Sequence, residues 1–72
     1  MKLNYFPETD SLYIDLSENP SVDTQEVANG VVLDFDEQGK LVGIDIDNAN
    51  KIVDLKRIES NSLPLSSFAI AL

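Results

Sequence analysis

Val31-Val32-Leu33-Asp34-Phe35-Asp36-Glu37-Gln38-Gly39-Lys40-Leu41-Val42-Gly43-Ile44-Asp45-Ile46 decides the fold. Apolar and polar residues alternate on both sides of Gln38-Gly39, the period of a strand with one face covered. With Gln38-Gly39 at the turn, Glu37 pairs with Lys40, Phe35 with Val42, Leu33 with Ile44 and Val31 with Ile46. All six residues of the last three pairs are apolar and share one face. The reverse face pairs Asp36 with Leu41, Asp34 with Gly43 and Val32 with Asp45. A slip of one residue would destroy this sorting, so the register is strongly specified. Gly39 supplies the positive φ such a turn requires.

The same period runs toward the N-terminus. Leu3 and Tyr5 alternate with Lys2 and Asn4, and Leu12, Ile14 and Leu16 with Ser11, Tyr13 and Asp15. Pro7-Glu8-Thr9-Asp10 between them reads as a turn, which places Tyr5 near Leu12 and Leu3 near Ile14. Ser17-Glu18-Asn19-Pro20-Ser21 reads as a loop. Residues 22–27 read as a weaker strand, either at an edge or solvated, and Asn29-Gly30 then marks a tight turn. A three-residue loop there, with Gly30 left-handed, puts Val27 on the face of Val31. Beyond Asp47 the apolar spacing of Ala49, Ile52, Val53, Leu55 and Ile58 is roughly helical, with Asn48 as N-cap. An apolar tail, Leu63 to Leu72, follows. The expected architecture is mainly β (α+β): an antiparallel β-meander of four to five strands (about 2–6, 11–17, 22–28, 31–36 and 41–46) with a short helix near 49–58.

At 72 residues the chain is read as a single domain, 1–72. It has no cysteine and no histidine, which excludes disulfides, the usual structural zinc sites and the usual catalytic triads. No apolar run approaches the roughly 20 residues that span a bilayer, and the N-terminus lacks a signal-peptide core. The expected location is cytoplasmic. Thirteen acidic residues against five basic ones give a net charge of −8. That balance argues against direct nucleic-acid binding and favours solubility or a small basic protein partner. No cofactor and no catalytic residue is indicated, and the chain is read as a non-enzyme.

Carboxylates are the one chemical feature left. Asp34 and Asp36 share a strand face, as do Asp45 and Asp47, and Asp34 is diagonal to Asp45. Such a group is a candidate site for a divalent metal ion. Asp34-x-Asp36-x-Gln38-Gly39 with Asp45 also approaches a calcium-loop pattern, but its flanks read as strands where that motif needs helices. The competing reading is a solvated hairpin face with a glycine turn. Tyr13, on the outer face beside Asp15, is either a recognition aromatic or a cover for its sheet neighbours.

Residues 5–17, Tyr5-Phe6-Pro7-Glu8-Thr9-Asp10-Ser11-Leu12-Tyr13-Ile14-Asp15-Leu16-Ser17, resemble the opening of the domain of unknown function 2283 family, the YuzE-like small bacterial proteins. Glu26-Val27, Gly30 to Asp36, Gly39-x-Leu41-Val42-Gly43-Ile44 and Ala49 continue the resemblance over residues 2 to 55. It implies a compact β-rich fold and no established activity. Members look to be encoded often beside small toxins, which implies an antitoxin-like role for some.

The apolar face carries Leu3, Tyr5, Leu12, Ile14, Leu16, Val31, Leu33, Phe35, Val42, Ile44 and Ile46. A helix is about 10 Å wide and strands sit about 4.8 Å apart, so one short helix covers about half of such a sheet. The remainder needs the tail or a second chain. The expectation is a homodimer.

Overall fold

A computed structural model describes residues 1–71. Five strands, β1 (Lys2–Phe6), β2 (Ser11–Asp15), β3 (Asp23–Ala28), β4 (Val31–Phe35) and β5 (Leu41–Ile46), form one sheet, followed by a single helical turn, α1 (Ala49–Ile52). All neighbouring strands are antiparallel, in the spatial order β1-β2-β5-β4-β3. The consecutive hairpins β3-β4-β5 are a meander. The β1-β2 hairpin joins it through β2 against β5, so the β2–β3 connection crosses to the far edge.

Matching apolar rows explain why β2 docks on β5. Leu12 opposes Ile46 and Ile14 opposes Ile44 on one side of β5, while Val31 opposes Ile46 and Leu33 opposes Ile44 on the other. The first hairpin adds Leu3↔Ile14 and Tyr5↔Leu12, as the sequence predicts. Two inner-face rows therefore cross the sheet: Tyr5-Leu12-Ile46-Val31-Ala28 and Leu3-Ile14-Ile44-Leu33-Gln25. The strongly apolar β5 takes the centre. Polar β3 stands exposed at an edge, as its composition predicts.

Both turns of the meander differ in detail from their expected form. The β4–β5 register holds from Val31↔Ile46 to Asp34↔Gly43, then shifts so that Phe35 opposes Leu41, not Val42. Asp36 is the cause. Its backbone N–H donates to the Lys40 carbonyl at 2.9 Å, and its carboxylate Oδ1 accepts from the N–H groups of Gln38 and Lys40, each at 2.9 Å. This makes a three-residue loop, Glu37-Gln38-Gly39, one residue longer than Glu37–Lys40 pairing would give, and leaves Val42 as the extra, buried residue of a bulge. Gly39 is left-handed, φ 78°, as expected. At the other turn Gly30 is left-handed too, φ 81°, but Val31 pairs with Ala28 and the shift between Glu26 and Ala28 leaves Val27 exposed rather than beside Val31.

The helix is one turn, not the longer segment near 49–58. Val53 is extended, and the Asp54 carboxylate accepts from the Lys56 N–H at 3.1 Å, a local turn that competes with helix continuation. Asn48 does not cap it: this residue is left-handed and its side chain makes no capping bond. Asp10, 40 residues from Asn50, takes that role. Its carbonyl accepts from the Ala49 N–H at 2.9 Å, and its carboxylate from the Asn50 N–H and, at 2.9 Å, the Asn50 amide. Tyr5 Oη donates to the same carboxylate at 2.8 Å, so the β1–β2 turn and α1 are tied together.

Candidate functional site

The outer face carries the chain's concentrated charge. Strand alternation sends Asn4, Tyr13, Asp45, Val32 and Glu26 across it in one row, and Lys2, Asp15, Gly43, Asp34 and Thr24 in the next. Four carboxylates thus sit on one side of the sheet. Lys2, at the β1 edge, is the one cation at these outer-face strand positions.

Gly43 and Tyr13 organise this face. The Tyr13 ring lies across Gly43 on the central strand and reaches over it to β4, where Oη donates to Asp34 Oδ2 at 2.8 Å. A Cβ at position 43 would stand 2.6 Å from Tyr13 Cζ, so only glycine admits the ring. Three strands are bridged by one side chain. The bond to Asp34, aided by burial and by the charges of Asp34, Asp15 and Asp45, pushes the Tyr13 phenol up to about 12. Tyr13 therefore stays on the outer face and covers a sheet neighbour, the second of the two readings its position offers. The signal was present in the sequence, since a glycine inside a strand marks a close approach.

Asp45 shows how crowded the carboxylates are. Burial first, then the neighbouring charges of Asp47 and Asp34 and a hydrogen bond with Asp47, raise its carboxyl above the ordinary range. Ser11 Oγ donates to Asp47 at 3.4 Å. Asp36 lies apart from this group. It is 7% exposed and bound into its own turn, with Asn19 Nδ2 donating to Oδ2 at 3.2 Å, which fastens the β2–β3 crossover to the β4–β5 turn. The Lys40 amide bond leads in holding its carboxyl low. The four metal candidates are therefore divided. Asp45 and Asp47 adjoin, Asp34 is engaged by Tyr13, and Asp36 serves the fold. Among the described residues no group of three or more Asp or Glu is arranged to hold a metal ion.

The inner face is covered unevenly. Val42, Ile46 and Ala49 are buried, but no large side chain is completely so among the described residues. Leu3, Tyr5, Leu12, Asn50, Leu55 and Ile58 line an open groove of about 460 Å³ over the β1–β2 half of the sheet. Among the described residues no helix is long and apolar enough to cross a membrane.

A search of curated proteins and a search of solved structures each return no match. The model of one family, described as a protein of unknown function (DUF2283), matches residues 2–50, which take in all five strands and the start of α1. By that match the chain belongs to the DUF2283 family.

Proposed function

We propose that this chain is a non-enzymatic protein-interaction module whose carboxylate face receives a small basic protein, in the manner of an antitoxin. The observation that carries the reading is the placement of Asp15, Asp34, Asp45 and Glu26 on one sheet face of a chain with net charge −8. A field of one sign steers a cationic partner to that face and selects against anionic ones. Tyr13, held by Asp34, adds a rigid aromatic at its centre. A chain without cysteine or histidine fits a cytoplasmic protein with no nucleophile–imidazole chemistry.

The test is co-expression with the small basic product of an adjacent gene, followed by size-exclusion chromatography. Co-elution that is lost when Asp15→Asn, Asp45→Asn and Glu26→Gln are combined supports the reading. Co-elution indifferent to these changes, or no complex with any basic neighbour, refutes it.

A further inference from the structure

The inner face poses a separate question, independent of any basic partner. A compact monomer of this 7.9 kDa chain would expose about 4,400 Å². The chain exposes 5971 Å², roughly 1,500 Å² more, where one side of a standard interface buries about 800 Å². Its radius of gyration is 13.2 Å, against about 11 Å for a compact domain of this length. Part of the excess is the segment outside every strand and helix that carries Leu63, Leu65, Phe68 and Ile70, all exposed. Part is the sheet itself: Leu12, Ile14, Leu33 and Ile44 of the inner face are only half-buried, in the same broad range as Asp15 and Asp45 on the outer face.

We propose that a second copy of this chain covers the groove over β1 and β2, in a two-fold dimer that apposes the inner faces. Charge selects this occupant. The groove is lined by five apolar side chains and Asn50, with no ionised group, so a basic protein finds no counter-charge there. A neutral, apolar surface is its complement, and the chain presents one in the groove itself. Inner-face apposition also sends the outer-face carboxylates of the two copies to opposite sides. Packed sheets lie about 10 Å apart, so those carboxylates are separated by more than the roughly 8 Å over which physiological salt screens charge.

The edges of the sheet agree. β3 carries Asp23, Glu26 and a bulge, devices that turn away an incoming strand. β1 has no carboxylate and an unbroken register with β2, and it exposes Leu3 at 50% and Tyr5 at 41%. With Lys2 as its one charged residue and no bulge, the less guarded edge is the one beside the groove.

Sedimentation equilibrium of the full chain at micromolar concentration tests the proposal. The expected mass is twice 7.9 kDa. Ile58 is 68% exposed and lies outside every strand, so Ile58→Asp should halve the mass while the β-sheet circular dichroism is kept. Leu3→Lys should do the same, and the outer-face change Glu26→Lys should leave the dimer intact. A wild-type mass of one chain overturns the proposal, and so does a dimer that survives both groove variants. If the wild type is monomeric and removal of residues 66–72 then makes the groove bind an apolar dye, the tail is the occupant and the second copy is not.

Discussion

Gly43→Ala should destabilise this protein because of one side chain, and removing that side chain should reverse the sign. The added Cβ stands 2.6 Å from Tyr13 Cζ and 3.2 Å from Cε1, so the ring must lift off β5. Forcing an extra carbon into occupied space costs about 1–3 kcal/mol. Lifting the ring also breaks the 2.8 Å bond to Asp34, a loss nearer 1 kcal/mol than the larger values for dry sites, because the phenol is part-exposed. Alanine in a strand recovers about 0.5–1 kcal/mol over glycine. The net expectation is a loss of about 1–3 kcal/mol, and each kcal/mol lowers the melting temperature of so small a domain by about 4–8 °C. With Tyr13→Ala already in place, the same Gly43→Ala should be neutral or stabilising by about 0.5–1 kcal/mol. Urea unfolding followed by circular dichroism, at one fixed protein concentration, completes the double-mutant cycle. Additivity of the two changes within about 0.5 kcal/mol would refute the bridge across β5.

The phenol of Tyr13 should titrate near 12, and ultraviolet absorbance of phenolate reads it directly; titration near 10, lost in Tyr13→Phe, counts against the Asp34 bond. Because the folded value lies above the ordinary 10.0, this contribution to stability is fully present below pH 10 and is lost as pH rises toward 12. Asp45→Asn should stabilise the protein at pH 7 by up to about 1 kcal/mol, since a carboxyl raised by burial and by Asp47 and Asp34 opposes folding once ionised. Below pH 3, where that carboxyl is protonated in both states, thermal melts should show no gain. Gly39 is left-handed with nothing within 4 Å of a Cβ, so Gly39→Ala should cost about 1 kcal/mol from backbone strain alone and Gly39→Asn measurably less, by the same unfolding assay.

Pairings within each hairpin were legible because a period of two and a turn residue fix a local register. Tyr5↔Leu12, Leu3↔Ile14, Leu33↔Ile44 and Val31↔Ile46 all follow from that. The sheet order was not legible, because docking β2 on β5 is a long-range match between two strands that each already have a partner. What pointed to it was the run Val42, Ile44, Ile46, too apolar for a strand with one solvated flank. The Val42 bulge was hidden for a different reason. It depends on where the Asp36 carboxylate spends its hydrogen bonds, and alternation alone cannot separate an outer-face aspartate from one that closes a turn. Asp10 is similar, since its bonds to Ala49 and Asn50 join segments 40 residues apart. Of the candidate carboxylates, the sequence placed Asp34 and Asp45 on one face correctly and gave Asp36 the wrong occupation.

The carboxylate face is the centre of the functional account, and the salt dependence of partner binding tests it most directly. Isothermal titration with the small basic product of an adjacent gene should give an affinity that falls at least about tenfold between 50 and 500 mM salt, as screening shortens from roughly 14 to 4 Å. The combined Asp15→Asn, Asp45→Asn and Glu26→Gln variant should weaken binding at low salt and flatten that slope, and Ile58→Asp in the groove should leave both unchanged. An affinity indifferent to salt and to the outer-face variant, or one abolished by Ile58→Asp, would contradict it.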